Sequence, residues 1–275
     1  EAREEPQTIV FDDSVTEETL LAPDEQVTQP HYLYFNDFSE PIRESDPDWF
    51  ANSVADFSDG NLTSTDKTHF YVATKHKIKA DIAYISLELQ AKRPGSAPHD
   101  SGFIGLRVPG YDNQFCATGN NGIWLAFQNK SVGLINTWPT VSLFETPYDF
   151  SEPRLVYIQD DTGAGIISVF TNDDEGNRVL VCRVIIEDGR NIAVVDAEGK
   201  TRITTTFNYD VDSEGYVCFW AHQNNGGVVY DDIMLEWDEA VYVPYVGSDP
   251  VGLRDLYSDT WTGTDGAGRT LVVSD

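Results

Sequence analysis

The sequence predicts an all-β, two-sheet antiparallel sandwich with extended N- and C-terminal tails. Three observations predict it. Short apolar–polar alternations recur along most of the chain, Gly-, Asn- and Asp-rich turn signals separate them, and β-branched and aromatic residues fill them. With 275 residues, 40% of them hydrophobic and 12% aromatic, the chain can bury one large β core.

The elements follow in order. Residues 1–30 form an acidic lead-in, in which Thr8 to Phe11 could add a short strand and Ser14 to Leu21 offers a capped helical turn. From His31, an aromatic-rich stretch makes the first core strand and runs into a polar bend at Asn36-Asp37. Asp46-Pro47-Asp48 centres a turn that returns Trp49 and Phe50 to the fold. Strands follow at Phe70 to Thr74 and over 78–92, the second with Ile82, Tyr84 and Ser86 on one side. A Pro- and Gly-rich loop over 93–101 lies at a rim. Gly102 to Val108 then alternates, with Phe103, Gly105 and Arg107 on one face and Ile104, Leu106 and Val108 on the other.

A hairpin spans Ile123 to Asn129 and Val132 to Asn136. The prolines of 137–149 predict an irregular loop that displays Trp138. Strands at Arg154 to Gln159, Ile166 to Thr171 and Arg178 to Glu187 are separated by acidic glycine turns, and another hairpin joins Ile192 to Val195 with Thr201 to Tyr209. Tyr216 to Ala221 and Val228 to Trp237 read as the two arms of a hairpin. Both carry apolar residues on both faces, which places them in the middle of the sandwich. Beyond residue 246 the alternation fades, and 247–275 reads as a linker.

The stretch from Gly215 to Asp238 resembles the last strands of the concanavalin A-like (legume-lectin, laminin-G-like) jelly roll. It combines a glycine, an aromatic-rich strand, a polar Gln-Asn-Asn-Gly-Gly loop and the run Val229-Tyr230-Asp231-Asp232-Ile233. The resemblance implies a jelly roll over 31–246. The segment from Asp259 to Leu271 is similar to joining segments ahead of catalytic domains in modular secreted bacterial proteins. It implies an N-terminal accessory domain, secreted or at the cell surface and covalently linked to a downstream domain of a carbohydrate-active protein.

A formal charge of −28, from 46 acidic and 18 basic residues, repels phosphate backbones and anionic lipid heads. Nucleic acid is excluded as a partner, and no apolar run approaches the ~18 residues that membrane insertion needs. Three cysteines, Cys116, Cys182 and Cys218, leave at least one thiol unpaired, and none has zinc-ligand spacing. Cys182 and Cys218 are either buried small hydrophobes or one bridge.

No nucleotide-binding, zinc-protease or nucleophile-elbow motif is present. Glu236-Trp237-Asp238 begins the E-x-D-x-E or E-x-D-x-x-E glycosidase motif but completes neither, because Ala240 and Val241 stand where the proton donor is required. No catalytic residue is therefore assigned. The resemblance implies a polysaccharide or glycan partner and a non-catalytic binding or spacer role; the alternative is a glycoside hydrolase or polysaccharide lyase on the same fold. Arg107, Trp124, Trp138, His222, Asn224 and Asn225 are the candidate ligand-binding residues. Aromatic faces stack on sugars, while amides, imidazole and guanidinium meet hydroxyls. Each has a plainer reading, Arg107 as a sheet-surface charge and the tryptophans as core. The resemblance also implies a structural calcium, held by Asp37 and Asp232 with Asn36 and Glu40, all oxygen donors of the kind calcium takes. Asp231 and Asp232 could equally end a turn.

Overall fold

The computed structural model describes residues 31–63, 70–92, 101–110, 121–137, 139–221 and 227–238, together with the backbone of two strands within 260–274. The predicted sandwich is present. In chain order the strands are β1 (His31–Asn36), β2 (Trp49–Ala51), β3 (Phe70–Thr74), β4 (Ile82–Ala91), β5 (Gly102–Val108), β6 (Ile123–Gln128), β7 (Ser131–Thr137) and β8 (Thr140–Glu145). They continue with β9 (Arg154–Asp161), β10 (Ile166–Asn172), β11 (Arg178–Glu187), β12 (Asn191–Asp196), β13 (Thr201–Thr206), β14 (Tyr216–Ala221) and β15 (Val228–Asp238). An eight-stranded sheet runs β1-β15-β4-β9-β10-β11-β12-β13, and a seven-stranded sheet runs β2-β3-β14-β5-β6-β7-β8. The pairs within both are antiparallel.

The alternation read from the sequence decides which side chains fill the space between the sheets. Leu235, Ile85, Ile158 and Val169 come from one sheet, and Val72, Ile104, Leu125 and Phe219 from the other; all are buried in one cluster. The seven-stranded sheet also carries a second apolar cluster formed by Tyr71, Phe103, Trp124, Ile135, Cys218 and Trp220. This is why β14 reads as apolar on both faces.

Two features differ from the sequence reading, the partners of β14 and β15 and the strand β8. β14 and β15 do not pair with each other: β14 lies between β3 and β5, while β15 lies between β1 and β4. The supposed hairpin is a crossing between sheets, and both arms are central strands as their two-sided apolar pattern demands. The first and last sandwich strands do pair, from His31↔Asp238 to Asn36↔Ile233. Within the supposed loop over 137–149, β8 forms between Pro139 and Pro147, which bracket the strand rather than disrupt it, and Val141 and Leu143 pack on the second cluster. Cys182 and Cys218 are both free and buried, on different sheets, so no bridge joins them.

Residues 241–275 cluster as a separate compact unit. Its described residues are two antiparallel strands, β16 (Thr260–Thr264) and β17 (Thr270–Ser274), in register from Thr260↔Ser274 to Thr264↔Thr270.

Candidate functional site

Arg107, expected on a sheet surface, is buried. Between the pairs Tyr216↔Val108 and Cys218↔Gly105, β5 holds one residue more than β14, and Arg107 takes the left-handed backbone (φ 53°) at that bulge. The bulge resets the alternation: Arg107 turns toward the opposite sheet, and Val108 joins the outer cluster. Its Nε donates to both carboxylate oxygens of Asp160 on β9 at 3.1 Å, and Nη2 donates to the Asp161 carbonyl at 3.3 Å. The guanidinium is an inter-sheet pin, walled by Ile78, Ala83, Gly215 and Val217. Gly215 cannot be larger, since a Cβ there would lie 2.3 Å from the Arg107 carbonyl carbon. Arg107 therefore faces neither a sugar nor a uronate.

Trp124 is also core. It packs edge-on to Trp220, and its ring lies where a Cβ on Gly105 would sit, 2.6 Å away. Trp138, His222, Asn224 and Asn225 lie outside the described residues.

The predicted calcium residues lie along the paired strands β1 and β15 and the bend after β1, where Asn36 faces Ile233. Asp232 adopts a left-handed backbone (φ 48°) at a bulge in β15, where two residues face one of β4 between Asp231↔Glu88 and Met234↔Ser86. The Asp231 carboxyl is pushed above its ordinary range by burial, then by the charges of Asp232 and Asp37. Glu88 is pushed the same way, by burial and then by Asp231 and Asp232. Asp37 accepts hydrogen bonds from the Ser39 hydroxyl and amide, which hold its carboxyl below the usual range, and Asn36 accepts from the Phe38 amide. Glu40 turns instead to Arg43, at 3.8 Å. The donors are calcium-like in kind. Among the described residues no three His, Cys, Asp or Glu side chains are grouped to hold an ion.

Glu236 and Asp238, the incomplete glycosidase pair, both meet His31. Its Nδ1 lies 2.9 Å from Asp238 and its Nε2 lies 3.7 Å from Glu236.

A surface that sequence reasoning did not select lies on the outer face of the eight-stranded sheet. Among the described residues the exposed large hydrophobics are Leu33 (57%), Phe35 (55%), Tyr84 (49%) and Leu155 (38%), and the strand registers put all four on this face. Two rows of side chains cross it. One runs Leu33, Glu236, Tyr84, Gln159 and Ser168; the other runs Phe35, Met234, Ser86, Tyr157 and Phe170. Between them lies a groove of about 250 Å³ lined by Tyr84, Tyr157, Phe170, Met234, Gln159 and Glu236, with Arg178 at one end. The Arg178 guanidinium sits 3.9 Å above the Tyr157 ring, so Tyr84 is the open aromatic face. The signal in the sequence was the placement of Tyr84 and Ser86 on one side of β4. Their partners came from β15, β9 and β10, which only the register joins.

No protein-family model and no curated protein matches the chain. Solved structures similar to it include legume-type lectins and a carbohydrate recognition domain. Lectin II from Ulex europaeus is 12% identical, with 76% of this chain and 99% of that one covered, at a TM-score of 0.49. Lectin I-B4 from Griffonia simplicifolia, in its metal-free form, is 11% identical over 74% and 98% of the two chains, at 0.45. The metal-free carbohydrate recognition domain of Emp46p is 10% identical over 75% and 95%, at 0.44. The assignment of this chain to a two-sheet sandwich rests on its own strand order and registers.

Proposed function

We propose that this chain is a non-catalytic carbohydrate-binding module, secreted or at the cell surface and linked to the downstream domain of a modular carbohydrate-active protein. The ligand lies on the outer face of the eight-stranded sheet. The observation that carries the reading is the exposed ring of Tyr84 in a groove that also offers an amide, a hydroxyl, a carboxylate and a guanidinium. An open aromatic ring beside a few convergent polar groups is what an amphipathic sugar ring requires. The lyase alternative is weakened because Arg107 is committed to Asp160.

A glycan array with the purified domain tests this, run with calcium and again with chelator, and with released reducing ends assayed in parallel. Binding without release is expected. Tyr84→Ala should weaken binding about tenfold, roughly 1.4 kcal/mol. Release of sugar ends or of an unsaturated product would make the protein an enzyme. A structural calcium at Asp37 and Asp232 belongs to the same proposal: chelation should lower Tm if backbone oxygens complete the shell, and an unchanged Tm removes it. The exposure of Leu33 and Phe35 favours a second reading, a docking or spacer domain, which silence on every glycan would support.

A further inference from the structure

The two side-chain rows on the outer face of the eight-stranded sheet also bear on which glycans the groove accepts. Residues in the two rows are two apart along each strand, so the rows lie about 7 Å from each other. One supplies hydroxyl partners through Glu236 and Gln159; the other supplies an apolar floor through Met234, Tyr157 and Phe170. The rows cross β1, β15, β4, β9 and β10, four inter-strand gaps or about 19 Å, the length of a short oligosaccharide. The carboxylates paired into this face are Glu88, Asp231, Glu236, Asp238 and Asp161. The cations on this face are Arg178, which lines the groove with its guanidinium stacked on Tyr157, and Arg183, which stands opposite Ser168, while His31 meets Glu236 and Asp238. Burial raises the proton affinity of both Glu88 and Asp231, with Asp231 and Asp232 adding to it at Glu88 and Asp232 and Asp37 at Asp231, and the whole chain carries −28. A uronate or sulfate brought onto this surface would meet more like charge than opposite charge.

We infer that the groove takes a neutral glycan chain laid across the strands, with its C–H faces on the Met234–Tyr157–Phe170 row and its hydroxyls toward Glu236 and Gln159, and that it rejects polyanionic glycans. This rests on the carbohydrate reading above. Affinity electrophoresis tests it, in gels containing neutral β-glucan, xylan or galactomannan, or else polygalacturonate or heparin. The intact protein, Tyr84→Ala, Tyr84→Phe and Arg178→Gln would be compared, each checked for an unchanged melting transition. A neutral polysaccharide should retard the protein, with little response to salt. Tyr84→Phe should keep the retardation and Tyr84→Ala should lose about tenfold or more in affinity. Retardation by a polyanion, abolished by salt and by Arg178→Gln, would overturn the neutral-ligand inference and leave the carbohydrate site standing. If no polysaccharide retards the protein, or if Tyr84→Ala binds as well as the intact protein, the carbohydrate reading itself falls.

Discussion

Arg107 shows how one residue's backbone can reverse what a strand pattern says about it. In a regular strand it would share a face with Phe103 and Gly105. At φ 53° it points inward, to a carboxylate on the other sheet. A left-handed arginine is costly, and the register of β14 against β5 enforces it. The phase slip was not legible because nothing in Gly-Leu-Arg-Val marks a bulge; the glycine that tolerates the close approach, Gly215, lies on the neighbouring segment. The buried pair predicts a specific asymmetry. Arg107→Met leaves Asp160 buried without its cation and should cost about 3–5 kcal/mol, whereas the double change with Asp160→Leu should recover much of the loss. Urea midpoints of the four proteins check this. If the double variant is no more stable than Arg107→Met alone, the cost lies in the strained backbone and its packing rather than in the stranded charge.

At the scale of elements, strand existence was legible almost throughout, because a half-buried strand writes its period into the sequence. Phe70–Thr74 and Gly102–Val108 have the ends read from alternation alone. Partnership was not legible. The pattern of β14 and β15 says that both are central, but period 2 does not say in which sheet, and a short polar connection suits a crossing as well as a hairpin. The groove was missed for the same reason: its residues come from β4, β9, β10, β11 and β15, and no spacing within one strand announces them. The bulge in β15 also sets up a pH effect. Asp231 has a raised folded-state pKa, so its ionisation disfavours the fold. That penalty is complete above the folded pKa and vanishes as pH falls through it toward the unfolded value. Asp231→Asn should therefore raise Tm at neutral pH by about 1–3 °C, and the gain should shrink toward zero as the medium is acidified through the raised folded pKa. A constant gain across that range would mean that charge is not the cause.

For the whole molecule, the same charge that narrows the ligand also acts on the fold. A chain carrying 46 acidic against 18 basic residues repels itself most when compact, and unfolding relieves the repulsion. The sandwich withstands this through the apolar cluster between its sheets, which is large because both sheets are wide and their central strands are buried on the inner face. Screening distinguishes the two contributions. From about 10 mM to about 150 mM salt the Debye length shrinks from roughly 30 Å to about 8 Å, so long-range repulsion is largely removed. Apolar burial and the Arg107–Asp160 pair, shielded from solvent, change little. Tm should therefore rise over this interval with sodium chloride. The rise should be equal with potassium chloride, because screening depends on ionic strength and not on which cation supplies it. A rise with calcium chloride well beyond that seen at matched ionic strength would instead mark specific binding, at the carboxylates around Asp231 and Asp37 if Asp232→Asn abolishes it. A flat or falling Tm in sodium chloride would mean that the acidic residues are already balanced in the folded state, and the electrostatic case for a neutral ligand would weaken with it.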